Sequence, residues 1–294
     1  MRVTAAAPAA VTFGTRDGRT LAGLLLLADA PRAVLVINNA TGYLREFYLK
    51  FAAFCAQRGY HTLIYDYRGM GASASEPPAR ERARMSDWGR LDMPAALGWL
   101  AARYPALPAF TLGHSVGGQL IGAMPNADVA RAHVMIATST GYWRHQRLPF
   151  RLVALAFWKL YGPWMLARHG FVPRGLLWRG AALPPGVFLQ WRKWCLDPAL
   201  FGPQLDDDFA DSRFAQVRGP LLVWGFTDDP IATPAAVEAL LAAYRCARIE
   251  RRWTRPAEVG ARHLAHHGFF AERHRATLWC SVLDWLDAQC ASKP

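Results

Sequence analysis

The segment Gly-His-Ser-Val-Gly-Gly at 113–118 carries the clearest chemical signal in this chain. Aliphatic residues typical of a strand precede it, and a helical pattern over Gln119–Met124 follows. A serine at a sharp strand-to-helix turn is presented as a nucleophile, and small neighbours let the chain turn tightly. The sequence therefore predicts that Ser115 is a catalytic nucleophile with a helix N-terminus behind it, which favours negative charge developing there.

A serine hydroxyl is a weak nucleophile and needs a base that is itself oriented by a carboxylate. Asp228 and Asp229 lie directly after the apolar run 221–225, in the segment Gly-Phe-Thr-Asp-Asp-Pro, where either could supply that carboxylate. We expect Asp229, because the Pro-Ile-Ala that follows it resembles the usual continuation after the acid. The alternative is an Asp-Pro turn in which both carboxylates are merely solvated.

Three histidines, His263, His266 and His267, fall within five positions near the C-terminus. Metal binding is not expected, because no carboxylate or cysteine lies at a matching spacing and H-x-x-H-H is not a known ligand pattern. A base on the loop after the last strand fits better. We expect His266 to be that base, with His267 as the alternative, and His114 to be a packing residue.

Acyl transfer also needs hydrogen-bond donors for the oxyanion, and backbone N–H groups usually supply them. One donor is expected from Val116, directly after the nucleophile. The other is expected from the small-residue loop after the strand Ala33–Asn38, most simply Thr41 with Ala40 as the alternative. An ordinary strand-to-helix turn is the competing interpretation of this loop.

Taken together, these motifs resemble the α/β-hydrolase superfamily, and within it a subgroup of predicted bacterial serine hydrolases. The resemblance spans about residues 10–288 and keeps the order of the motifs in that superfamily. It departs at the oxyanion loop, where Asn39-Ala40 replaces the common His-Gly. The segments that carry it are Asn-Ala-Thr-Gly-Tyr at 39–43, Tyr-Asp-Tyr-Arg-Gly-Met-Gly-Ala-Ser at 65–73, Gly-His-Ser-Val-Gly-Gly at 113–118, Asp-Asp-Pro at 228–230 and His-His-Gly-Phe-Phe at 266–270.

The resemblance implies a hydrolase without cofactor or metal that cleaves a carboxylic ester or a related acyl compound through an acyl-serine intermediate. The expected partner is a small-molecule acyl substrate. The tryptophan-rich segment 142–218 suggests that this substrate is apolar, although tryptophans also pack a cap onto a core. Two alternatives stay open: an acyltransferase similar to homoserine acetyltransferases, and a binding protein of the same fold without turnover. A dinucleotide site at 66–71 is not expected, because the third glycine of that motif is missing and no helix opens there.

Short aliphatic runs alternate with helical patterns along most of the chain, which indicates a mainly parallel sheet covered on both faces. We expect an α/β-hydrolase fold with an eight-stranded sheet, whose core comprises residues 1–141 and 219–294. Between them the alternation stops. Residues 142–218 hold six of the twelve tryptophans, and we expect a helical cap or lid there. The run Asp206–Asp208 is expected to be a solvated loop.

The amino-acid composition excludes few classes of function. The chain has 294 residues and a formal charge of +12, with 34 basic against 22 acidic residues. The arginines are scattered and no nucleic-acid-binding motif is present, so no nucleic-acid partner is expected. Membrane-surface contact through the basic, tryptophan-rich cap is an alternative that this pattern does not favour. The apolar run 21–30 superficially resembles a signal peptide but fits a β-hairpin better, and the apolar stretch 152–166 is too short to span a bilayer, so we expect a cytoplasmic protein.

Overall fold

The computed structural model describes residues 7–199, 207–209 and 212–291. Eight strands form one sheet with the order β1-β2-β4-β3-β5-β6-β7-β8. The first two strands form an antiparallel hairpin, β2 pairs antiparallel with β4, and all other pairs are parallel. The strands are β1 Ala9–Gly14, β2 Thr20–Leu26, β3 Ala33–Asn38, β4 Tyr60–Tyr65, β5 Ala109–His114, β6 Ala130–Ile136, β7 Pro220–Phe226 and β8 Arg248–Thr254.

Helices connect the parallel strands, as crossovers between parallel strands require. Short 3-10 and π-helical turns extend several of them. The α-helices are α1 Leu49–Gln57, α2 Met85–Asp87, α3 Met93–Arg103, α4 Val116–Gln119, α5 Phe150–Ala156, α6 Gly162–His169, α7 Pro185–Leu196, α8 Pro234–Leu241 and α9 Cys280–Ala291.

Apolar side chains of β3 alternate between two cores, one on each face of the sheet. Val34 and Val36 belong to one cluster of buried residues, and Leu35 and Ile37 to the other. Successive residues of a strand point to opposite faces, so a strand with both faces covered is continuously apolar. The expected eight-stranded, mostly parallel sheet is confirmed, and its parallel strands all end at the same edge as β5.

Residues 142–218 connect β6 to β7. Their described part contains α5, α6 and α7, with a π-helical turn, Phe157–Tyr161, that joins α5 to α6. The residues 200–206 and 210–211 lie outside the described part, so the expected solvated loop is described only in part. Asp208 is buried there, not solvated: its carboxylate accepts hydrogen bonds from Trp194 Nε1 at 3.0 Å and from Arg84 Nη2 at 2.6 Å.

None of the described helices combines the length and the apolar character that a membrane crossing would require.

Candidate active site

Ser115 stands at the turn between β5 and α4 with φ 53° and ψ −116°, a strained conformation for a residue with a side chain. Glycines make the turn possible. A Cβ at Gly113 would lie 2.3 Å from the backbone nitrogen of Gly118, and one at Gly117 would lie 2.3 Å from the carbonyl oxygen of Asn38. The close packing therefore requires glycine at these places and holds the serine at the carboxyl edge of the sheet.

The helical pattern expected over Gln119–Met124 begins earlier, at Val116, and is mostly a 3-10 turn instead of an α-helix. The four-residue α4 is followed only by a 3-10 turn, Leu120–Ala123. This turn packs closely against its surroundings: a Cβ at Gly122 would lie 2.2 Å from the ring of Phe214. One turn of helix carries only a small dipole. The field of a long helix is therefore not what stabilises charge at Ser115.

His266 and Asp229 complete a hydrogen-bonded chain with Ser115. Ser115 Oγ lies 2.9 Å from His266 Nε2, and His266 Nδ1 lies 2.8 Å from Asp229 Oδ2. A carboxylate only accepts hydrogen bonds, so Nδ1–H donates to Asp229 and Nε2 is left to accept from the serine hydroxyl. The imidazole is thus held in the tautomer that can remove the proton of Ser115.

Asp229 is buried and its charge is retained by its partners. Burial alone would raise the pKa of this carboxyl, but His266 and the N–H groups of Ile231 and Ala232 lower it below its ordinary value. These two N–H groups donate to Oδ1 at 2.8 and 3.0 Å. Oδ1 is therefore held by the backbone while Oδ2 remains directed at the imidazole.

Asp228 has a different place from its neighbour. Its carboxylate accepts hydrogen bonds from Leu264 N at 2.9 Å and Ala265 N at 3.0 Å. Ala265 has a positive φ of 47°, which a residue with a side chain adopts only when neighbouring contacts hold it. Asp228 therefore fixes the turn that precedes His266, and Asp229 is the carboxylate that contacts the imidazole.

His267, the alternative base, faces aromatic rings instead of the serine. Its ring centroid lies 4.8 Å from that of Tyr43. Burial and the adjacent His266 lower the pKa of His267 to about 4. His263 Nδ1 lies 3.9 Å from an Asp228 oxygen. Among the described residues no group of histidines, cysteines and carboxylates is arranged to hold a metal ion.

Two backbone N–H groups near the serine have no hydrogen-bond partner among the described residues, those of Thr41 and Val116. The N–H of Ala40, the alternative donor, is occupied: it donates to the Tyr48 hydroxyl at 2.8 Å. Ala40 is thereby ruled out as an oxyanion donor in this arrangement. Thr41 and Val116 remain as the candidate donors, and Thr41 Oγ1 is also buried without a partner.

A buried bridge that no sequence motif indicated connects the oxyanion loop to the histidine loop. Tyr48 Oη lies 3.0 Å from His114 Nδ1, and His114 Nε2 lies 2.9 Å from the carbonyl oxygen of His266. Because a carbonyl only accepts, Nε2 carries the proton, Nδ1 accepts from Tyr48, and Tyr48 Oη accepts from Ala40 N–H. Burial, followed by the nearby His266, lowers the pKa of His114 well below its ordinary value. His114 is therefore a neutral hydrogen-bonding residue and does more than pack.

The segment 142–218 contacts the same edge of the sheet. A Cβ at Gly42 would lie 2.3 Å from the Trp178 ring, and Gly42 O accepts a hydrogen bond from Ala181 N at 2.8 Å. On the other side of the site, Arg147 N donates to Pro230 O at 2.9 Å, next to Asp229. These contacts bring the segment to the oxyanion loop and to the acid loop, on the side of the sheet where Ser115 emerges.

A surface cleft of about 950 Å³ lies at the opposite end of the sheet. It is lined by the first residues of four strands, Ala109, Ala130, Pro220 and Arg248. Neither the nucleophile nor any other candidate site residue lines it, so the cleft is separate from the site described above.

Known proteins were compared with this chain by sequence and by structure. A family model described as serine aminopeptidase, S33, matches residues 29–173. This range includes Thr41 and Ser115 but ends before Asp229 and His266. A search of curated proteins found no match.

Solved structures of hydrolases share the whole architecture. A soluble variant of monoglyceride lipase from Saccharomyces cerevisiae superposes with a TM-score of 0.71 at 14% identity, covering 99% of both chains. A Pyrococcus furiosus esterase has a TM-score of 0.63 at 13% identity, with 96% of this chain and 91% of that one covered. A thermophilic esterase from Thermogutta terrifontis has a TM-score of 0.59 at 15% identity, with 96% of this chain and 100% of that one covered. At these identities the likeness shows the fold.

Proposed function

The chain belongs to the α/β-hydrolase superfamily, and from this premise we propose that it is a serine hydrolase that cleaves carboxylic esters through an acyl-serine intermediate. The observation that carries the proposal is the chain of hydrogen bonds Ser115–His266–Asp229 beside two unpaired backbone N–H groups. Nucleophile, base, orienting acid and oxyanion donors are the four parts that acyl transfer needs.

In the first step His266 Nε2 accepts the proton of Ser115 while Oγ attacks the carbonyl carbon of the ester. The carbonyl oxygen becomes an oxyanion that accepts hydrogen bonds from Thr41 N–H and Val116 N–H. The oxyanion then collapses and the bond between the acyl carbon and the alcohol oxygen breaks, while the imidazolium, stabilised by Asp229, gives its proton to the leaving alcohol and the acyl group stays on Oγ. Each oxyanion donor of this kind contributes about a hundredfold to a thousandfold in kcat.

In the second step a water molecule takes the place of the alcohol. His266 Nε2 accepts its proton, the hydroxide oxygen attacks the acyl carbon, and the collapse of the second oxyanion returns the proton to Ser115. The product is the free carboxylic acid. No residue beyond those already named is needed for this step.

The segment 142–218 is proposed to act as a cap that walls the acyl side of the site. Supporting this, its aromatic side chains form a layer directly beside the oxyanion loop. The Trp178 ring, which touches Gly42, lies 5.4 Å from Trp191 and 5.8 Å from Phe157 between centroids. Such a layer favours an apolar acyl group.

The test is hydrolysis of p-nitrophenyl esters from acetate to palmitate, with the Ser115→Ala variant as control. We expect turnover in water without an added acceptor, and none in the variant. Aminoacyl p-nitroanilides added in parallel measure peptidase activity, and glycerol added in parallel measures transfer to an alcohol. Cleavage only of anilides, or turnover only with the acceptor, would contradict an ester hydrolase.

A further inference from the structure

The cap carries an unbalanced charge. Within it, residues 142–196 contain nine basic side chains and no aspartate or glutamate, whereas residues 197–218 contain two basic and five acidic residues. Elsewhere in the chain basic and acidic residues are mixed. The nine basic residues of 142–196 are Arg144, Arg147, Arg151, Lys159, Arg168, Arg174, Arg179, Arg192 and Lys193.

The same part of the chain exposes apolar surface. Among the described residues ten large hydrophobic side chains are exposed, and seven of them lie in the cap, with exposed fractions between 44% and 74%. Single exposed apolar residues are ordinary, but a concentration of this kind marks an interaction surface. The seven are Leu148, Leu152, Val153, Leu160, Trp164, Leu176 and Leu189.

Helical geometry places four of these residues together. The chain is continuously helical from 150 to 169, through α5, the π-helical turn and α6. Its buried side is formed by residues such as Ala154, Phe157 and Trp158. Leu152, Val153, Leu160 and Trp164 fall on the opposite side at helical spacing. This apolar stripe, which we call the outer face, is about 18 Å long between Leu152 and Trp164.

Cations lie on or next to the outer face. Lys159 and Arg168 are exposed on the same helical stretch. The exposed Leu176 lies beside this helical stretch, because its N–H donates to the Tyr161 hydroxyl at 3.1 Å. An apolar helix face with tryptophan and flanking cations matches the boundary between the acyl chains and the anionic headgroups of a bilayer.

We propose that the outer face docks the protein on an anionic lipid surface. The positive charge around the outer face argues against a second copy of this chain as its binding partner. A symmetric contact would place the same patch on both partners and bring like charges together. A lipid surface offers an apolar interior for Leu160 and Trp164 and negative charge for exposed cations such as Lys159 and Arg168. The docking does not depend on catalysis, although it would bring the site beside esters that reside in the bilayer.

The test uses sedimentation with vesicles and protein carrying Ser115→Ala, so that hydrolysis does not change the lipid. We expect binding to vesicles of phosphatidylcholine mixed with phosphatidylglycerol, and at least about tenfold weaker binding to phosphatidylcholine alone or at high salt. The double variant Leu160→Ser/Trp164→Ser should bind about tenfold less. Its matched control is Leu27→Ser/Val129→Ser, which removes two exposed apolar residues outside the cap and should bind like the parent.

A second pair of variants tests the charge. Lys159→Glu/Arg168→Glu should weaken binding to the anionic vesicles, and Arg16→Glu/Arg245→Glu, which change exposed arginines of the core, should change it much less. Equal binding of all variants would overturn the proposal. So would a dimer in analytical ultracentrifugation that Leu160→Ser/Trp164→Ser dissolves, because the outer face would then be a self-contact. Failure of the ester assay would leave this result unaffected, so the two proposals can fail separately.

Discussion

The site at the edge of the sheet and the cap beside it are held by different kinds of contact. Ser115, His266 and Asp229 are joined by directed hydrogen bonds of 2.9 and 2.8 Å, and the turn packs so closely that Gly113 and Gly117 have no room for a side chain. The cap packs mainly through aromatic rings, such as Trp158 and Trp191 at 4.6 Å between centroids. Directed bonds fix atoms for chemistry, while ring packing tolerates changes of shape.

This difference suggests that the site and the cap have separate roles. Substitutions at the site should change the rate of chemistry for every substrate. Substitutions in the cap should change which substrates are preferred and leave the reactivity of Ser115 intact.

Replacing Asp229 by asparagine should lower kcat by roughly three to four orders of magnitude, because the imidazole loses the partner that holds its tautomer. Steady-state kinetics on a short-chain p-nitrophenyl ester measures this. Asp228→Asn is the matched control. It loosens the turn before His266 without touching the imidazole, and should cost at most about tenfold. The reverse order of the two variants would exchange the roles given to these carboxylates.

Trp178→Ala should redistribute kcat/KM among acyl-chain lengths by about five- to a hundredfold, since one large aromatic contact contributes on the order of 1–3 kcal/mol. Trp164→Ala, on the outer face, is the control and should leave the profile on dissolved esters unchanged. If Trp178→Ala lowered kcat/KM equally for all acyl-chain lengths, Trp178 would contribute to the chemical step. The separate roles given to the cap and the site would then be contradicted.

Tyr48→Phe should lower kcat about tenfold with little change in KM. It removes the hydroxyl that connects Ala40 to His114, and each buried group left without a partner costs about 1–3 kcal/mol. The oxyanion loop and the His266 carbonyl then lose their common support. Tyr60→Phe is the control, because its hydroxyl donates to Asp287 at a distance from the site. Loss of stability in both variants with kcat unchanged in both would assign Tyr48 a purely structural role.

His133 should affect stability against pH without affecting kcat. It is buried in β6, and burial lowers its pKa from 6.5 to about 4. Between pH 6.5 and about pH 4, His133 is therefore protonated in the unfolded chain but neutral in the folded chain. Its contribution is present above pH 6.5 and is lost as the pH falls towards 4, by up to about 3 kcal/mol. Urea unfolding of the parent and of His133→Gln measures the slope, and identical slopes would contradict the shift.

Local motifs predicted the parts of the molecule that short-range geometry determines. β3 has the predicted bounds, because an unbroken aliphatic run between turn residues has few alternatives. The elbow at Ser115 followed from its glycines. The choice between Asp228 and Asp229 rested only on the residues that follow, because both lie in one tetrapeptide. The structure separates them through contacts with a loop more than thirty residues away.

Other features depend on contacts that no local pattern records. Tyr48 and His114 lie 66 positions apart, and nothing near either residue indicates that they meet. Asp208 stands in an acidic run that suggests solvent, but Trp194 and Arg84 supply partners that make its burial favourable. The outer face could not be separated from the core of the cap by composition, because tryptophan occurs on both sides of the same helix.

The proposed mechanism depends on activation of the Ser115 hydroxyl by His266. Its most direct test is labelling with a small fluorophosphonate followed by intact-mass measurement of the parent, Ser115→Ala and His266→Ala. We predict a single adduct on the parent, none on Ser115→Ala, and labelling slowed by orders of magnitude in His266→Ala. An adduct that persists in Ser115→Ala, or a parent protein that stays unlabelled, would contradict the account.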